Sequence, residues 1–162
     1  MTQRGNVIIK ALETAETIRM LNKVYADSWL AYHQYLMEAK VVKGIRKSDV
    51  KAKLRQLAND ELRHVHMISD RIIELGSTPI DSPSDWTEHT NTGYETSSSF
   101  DELSILDLAI KSAEGSVYVY SGLAAMLQNK DIITYELVNE ILADEVENEE
   151  DLQELYNHIE KS

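Results

Sequence analysis

Between positions 50 and 75 the apolar residues recur in steps of four and three: Val50, Leu54 and Leu57, then Ile68, Ile72 and Leu75. That rhythm dictates an α-helix with one buried stripe. Two places in the stripe are taken instead by Glu61 and His64, within Asn59-Asp60-Glu61-Leu62-Arg63-His64. A carboxylate and an imidazole stand where a helix bundle expects Leu or Ile. Burying an unpaired charge is costly. Two arrangements remove that cost: a core histidine hydrogen-bonded to a glutamate one turn back, or a metal cation held by both. The pair alone leaves both open.

The chain has 162 residues, enough for one domain (1–162) with a substantial core. Two prolines and six glycines leave room for long uninterrupted helices. No apolar run approaches the roughly 18 residues of a membrane span. The opening Met1-Thr2-Gln3-Arg4-Gly5 has no signal-peptide character, so the expected location is cytoplasmic. The absence of cysteine excludes disulfides, thiolate metal sites and cysteine nucleophiles. A net charge of −12 speaks against a nucleic-acid partner, which calls for a basic surface. An acidic surface suits cations as ligands, and it equally serves solubility.

The periodicity predicts an all-α chain of four long helices with one long connection. The first covers about 13–43, with a stripe of Leu21, Tyr25, Ser28, Tyr32, Tyr35, Ala39 and Val42. The second covers about 48–75, opened by Ser48 and stopped by Gly76 and Pro79. Residues 76–99 carry both prolines and no helical period, and read as a crossover with a short turn or helix near Pro83–Glu88. Ser99-Phe100-Asp101-Glu102 has the form of a capping box. The third helix, about 100–129, then carries Leu103, Leu106, Ile110, Glu114, Val117, Ser121 and Ala124. Asp131 caps the fourth, about 131–160, whose stripe is Leu137, Ile141, Glu145, Asn148, Leu152, Leu155 and Ile159. Short turns make each consecutive pair antiparallel, and the long second connection gives a ferritin-like four-helix bundle with one crossover.

Every helix thus carries a non-apolar residue in mid-stripe: Ser28, then Glu61 with His64, then Glu114, then Glu145 with Asn148. Carboxylates that converge in a core repel one another, and without a cation at least one must take up a proton. The convergence favours a metal site over a lone histidine–glutamate pair. Oxygen-rich donors with one imidazole suit iron, manganese or zinc. Tyrosines at helical spacing beside such a core, among them Tyr25, Tyr32 and Tyr35, are read as packing. His33 and His66 fall off the stripes.

With these motifs the chain resembles the ferritin superfamily, and within it the Dps-like branch called thioferritins. The resemblance rests on Leu21 to Tyr35 and Ala39 to Gly44, on Asp60-Glu61-Leu62-Arg63-His64, on Thr90 to Tyr94, and on Asp144 to Glu150. It implies a di-iron site in which Glu61 and Glu145 bridge, His64 serves one iron and Glu114 the other. It also implies iron storage and protection against oxidative stress, ferroxidase chemistry with peroxide or oxygen through Glu61, His64, Glu114 and Glu145, and a twelve-subunit homo-oligomeric cage. The family pattern has Glu where Ser28 stands, His where Asn148 stands, and Cys where Thr92 and Gly115 stand. Three remaining carboxylates cannot neutralise two divalent cations. The expected site therefore holds one iron firmly on His64, Glu61 and Glu145, with Glu114 in reach and Asn148 as a weak oxygen donor. The competing expectation is a non-catalytic subunit of such a cage, assembled with an active sister subunit.

Overall fold

The computed structural model describes residues 3–162, and the side chains of all of these except 5–9. Four long helices make the bundle: α1 (Gln3–Val41), α2 (Lys47–Glu74), α4 (Glu102–Leu127) and α5 (Ile132–Glu160). A one-turn 3-10 segment (Pro83–Asp85) and the short α3 (Trp86–His89) lie in the crossover. This is the ferritin-like arrangement with its single long connection between α2 and α4.

Three helix starts differ from expectation. The first helix begins at Gln3, well before residue 13. The second begins at Lys47 with Arg46 as its cap residue and no side-chain cap, so Ser48 lies inside the helix. The third is capped by Asp101, whose carboxylate accepts from the Ser104 amide, instead of by Ser99. Asp131 caps α5 as expected, accepting from the Thr134 amide. The α1–α2 turn passes through Gly44 at φ 146°, a conformation that side chains rarely adopt. A Cβ there would also collide with Glu102, which accepts the Arg46 amide and ties this turn to the start of α4.

The crossover runs along α1 and is pinned at four levels, three on the helix and one just past its end. The Ile80 amide donates to Asn22 Oδ1 at 3.0 Å. Residues 90–92 donate to Asp27. Tyr94 meets His33 Nδ1 at 3.0 Å. Finally, the Lys43 amide donates to the Phe100 carbonyl at 2.8 Å. Asp27 is the strongest of these anchors, because its carboxylate accepts from the Asn91 amide at 2.6 Å, the Thr92 amide at 3.1 Å and Asn91 Nδ2 at 2.7 Å.

The two halves of the bundle repeat one burial pattern. Leu21, Val24, Ser28, Ala31, Tyr35 and Ala39 of α1 and Val42 just past its end are buried, and so are Leu106, Ala109, Ala113, Ser116, Tyr120, Ala124 and Leu127 of α4, each 85 residues further on. Val50, Leu54, Leu57, Glu61, His64 and Ile68 of α2 correspond to Thr134, Val138, Ile141, Glu145, Asn148 and Leu152 of α5, each 84 residues on. The bundle is thus an internally two-fold arrangement of α1–α2 and α4–α5. One apolar cluster, around Leu54, Leu106 and Leu152, fills one side of the core. Another, around Leu21, Ile72 and Ile141, fills the other. Ser28, Glu61, His64, Ser116, Glu145 and Asn148, all buried, fall between them along their helices.

Candidate metal centre

Glu61, His64 and Glu145 meet in that polar layer, each at most 3% exposed. One donor atom from each lies within 4.8 Å of the other two, a spacing that a single ion spans. His64 Nδ1 is 3.3 Å from Glu145 Oε1 and 3.6 Å from Glu61 Oε2. Neither His64 Nδ1 nor Glu145 Oε1 has a hydrogen-bond partner, although both are fully buried. Such orphaned atoms, aimed at one point, are costly unless something occupies that point. The remaining nitrogen, His64 Nε2, lies 3.0 Å from Asp144 Oδ2. Arg63 pairs with the same carboxylate. The ring is therefore held from behind with Nδ1 presented inward, as an imidazole ligand is oriented by an outer carboxylate.

Burial works against the charge on His64, but the Glu145 and Glu61 carboxylates close to Nδ1 prevail and carry its pKa up to about 10. Burial, and then the neighbouring Glu61 charge, push the Glu145 carboxyl up, against the opposing pull of His64. Tyr35 and Tyr120 flank the carboxylates from α1 and α4. Burial, then the charges of Glu61 and Glu145, raise both phenols well above their ordinary value.

Two expected residues are placed differently. Glu114 is exposed on α4 and lies outside the cluster. The buried face of α4 passes one residue away, through Ala113, Ser116 and Tyr120. Small residues such as Ala113 and Ser116 give a faint apolar signal, so the larger Leu103, Ile110 and Val117 drew the expected stripe off by one position. The two-fold pairing sets Ala113 opposite Ser28, so both outer carboxylate positions carry small side chains. Asn148 is buried at the equivalent of His64, yet its Nδ2 donates to Asp60 Oδ2 at 3.1 Å and its Oδ1 faces Gln56 Nε2 at 3.5 Å. Both polar atoms of its amide are thus engaged by side chains of α2. Sequence reading passed over Asp60 and Asp144. Their signal was the repeated Asp-Glu at 60–61 and 144–145, because each aspartate holds the residue facing it across the α2–α5 seam.

Residues 18–162 match a family model described as Ferritin, a ferritin-like domain. A dodecameric thioferritin from Bacteroides fragilis, a bacterioferritin-related protein, superposes with a TM-score of 0.91 at 32% identity, over 98% of this chain and 95% of its own. Dps from Thermosynechococcus elongatus superposes with a TM-score of 0.85 at 14% identity, over 91% of this chain and 94% of its own, a likeness of fold. A bacterioferritin from Desulfovibrio desulfuricans is 34% identical over 65 residues, so the match spans 40% of this chain and 36% of that protein.

Proposed function

The chain belongs to the ferritin-like family, and on that footing we propose that it falls in the Dps-like branch and binds and stores iron through a site holding one metal per chain. Glu61, His64 and Glu145 hold the ion, and Asp144 orients His64. Charge balance carries this reading. With Glu114 at the surface, two buried carboxylates remain in the layer, and together they neutralise one divalent cation. A second would bring uncompensated charge into the core.

Iron is here the protein's cargo. One bound Fe(II) gives up one electron, whereas reduction of peroxide to water takes two. A one-metal centre therefore oxidises iron slowly, and storage depends on an acidic inner surface as much as on the centre. The likeness to a dodecameric thioferritin supports a closed cage of twelve such chains. Ser28 and Asn148, where the family pattern has ligands, and Ala113, which the two-fold pairing sets at the place of Ser28, also support a second reading: a non-catalytic subunit with weak metal binding that assembles with an active sister chain.

Anaerobic Fe(II) titration, followed by oxygen or peroxide, tests the proposal. One iron per chain, oxidised slowly, is the expected result. Two irons with fast oxidation overturn the one-metal centre. No tight iron, together with co-assembly on an active sister chain, favours the second reading.

A further inference from the structure

The second leg of the crossover closes one half of the seam between α1 and α4. The Thr92 amide donates to Asp27 of α1, and the Thr92 methyl lies 3.4 Å from where a Cβ at Gly115 of α4 would stand. Tyr94 meets His33 of α1, and Glu95 pairs with Lys111 of α4 at 2.6 Å. Between Thr92 at Asp27 and Phe100 at Lys43 this leg follows α1 for about 24 Å, or about 3 Å per residue, so its chain is extended. An extended segment with an acidic side chain set on a lysine therefore covers this half.

The two-fold pairing carries residues 33–41 of α1 onto 118–126 of α4, and 102–115 of α4 onto 17–30 of α1. This other half of the seam is an open groove of about 590 Å³, with Arg19, Lys23 and Val24 on one side and Tyr118, Leu123 and Met126 on the other. Among the described residues, Asn91 alone of the crossover reaches it. Val24 and Leu123 are buried in its floor, whereas Tyr118 is 82% and Met126 49% exposed. Tyr118 is the counterpart of His33; Tyr94 holds the one, and the other stands in solvent. Past Met20 and Met126 the groove runs on into a second hollow, where Leu12 and Ile132 are exposed. From Leu12 to Val24 it follows α1 for about 18 Å, room for about five residues of extended chain.

The charge of the groove departs from that of the chain. Its lining beside Tyr118 has two cations and no carboxylate, although the net charge is −12. Arg19 is paired with Glu16 at 2.6 Å. Lys23 has no ion-pair partner among the described residues. Apolar surface left open beneath a charged rim marks an interaction site.

We propose that the open half of the seam docks an extended acidic segment of another protein, as the closed half docks the crossover. Apolar side chains of that segment lie over Val24, Leu123 and Met126, and a carboxylate meets Lys23 as Glu95 meets Lys111. No metal ligand takes part, so the docking stands or falls apart from the metal centre.

Random short peptides displayed on phage and panned against the wild-type protein supply the probe. Enriched sequences are then measured as labelled synthetic peptides by fluorescence polarisation. Asp or Glu beside large apolar residues should be enriched, with binding that weakens as salt rises. Lys23→Glu reverses the rim charge, and Gly122→Leu fills the groove from a position where a Cβ meets nothing within 4 Å. Each should weaken binding at least about tenfold with circular dichroism unchanged. Lys23→Glu, a change at the helix surface, keeps the test sound should Gly122→Leu disturb α4. No acidic enrichment, or enriched peptides that bind both variants as they bind wild type, would overturn the proposal. So would a groove already covered by a second copy of the chain: Gly122→Leu would then change the assembled size by light scattering, and the wild type would bind no acidic peptide.

Discussion

Replacing Glu38 by Gln should stabilise the metal-free protein, and by an amount that grows with pH. Burial, only partly offset by the Gln34 hydrogen bond, pushes the Glu38 carboxyl from 4.5 up to about 8. Around it stand Gln34 and Tyr35 of its own helix and Tyr94 of the crossover, whose phenol is raised by burial and then by the Glu38 charge. Among the described residues no lysine, arginine or histidine is paired with it. The folded chain therefore holds this proton more tightly than the unfolded chain does. Stability falls as pH rises from about 4.5 to 8, by about 1.4 kcal/mol per pH unit, and levels off above. Glutamine has the same shape and no charge, so the difference between variant and wild type isolates this one group. Between pH 5.5 and 7.5 the advantage of Glu38→Gln should widen by about 2–3 kcal/mol. Urea unfolding of chelator-treated protein, at several pH values and one chain concentration, measures it. A difference that stays flat over this range would mean that Glu38 is charged and compensated in the fold, and the account of its burial would fail.

Asp144→Asn removes the carboxylate behind His64, so divalent-metal affinity should fall about 10–100-fold, read by calorimetric titration, with the fold intact by circular dichroism. Asp27→Ala should cost about 2–4 kcal/mol, because it leaves the Asn91 and Thr92 amides without their acceptor, and amide exchange should quicken at 90–92 before it does elsewhere. A Thr92→Cys, Gly115→Cys pair should form a disulfide under mild oxidation, since a Cβ at 115 meets the Thr92 side chain at 3.4 Å; failure to crosslink would refute the placement of the crossover on α4. Ser28→Glu, Ala113→Glu and Asn148→His together should raise the metal stoichiometry from one to two per chain and speed iron oxidation, whereas Glu114→Gln should leave both unchanged.

The bundle was legible because helical periodicity survives the intrusion of polar residues: Glu61 and His64 kept the four-three rhythm of α2, and Asp131 and Gly76 punctuated it. Legibility failed where side chains are small. Ala109, Ala113 and Ser116 bury less apolar surface than Leu103 or Val117, so the α4 stripe ran one residue out of place and took Glu114 inward with it. Asp27 was out of reach for another reason. It lies off the core stripe of α1, and it is buried only because residues 90–92 fold back over it, a contact that no local pattern encodes. Asn148 was placed at the right depth, but its orientation depends on Asp60 and Gln56, partners from another helix.

The two-fold pairing gives these departures a common sense. A full set would present, in each half, an outer carboxylate from the first helix, a bridging carboxylate and an imidazole from the second. The α1–α2 half keeps Glu61 and His64, and the α4–α5 half keeps Glu145 alone. Ser28 and Ala113 remove one negative charge from each half, and Asn148 removes the imidazole of the second. Losing only the imidazole would leave four carboxylates around a single cation, with strong repulsion in a low-dielectric layer. In the one-metal centre proposed above, two carboxylates and one imidazole would meet one divalent cation, while Asp60 holds Asn148 as Asp144 holds His64. The scaffold of the second half stands, and its chemistry is reduced in step with its charge.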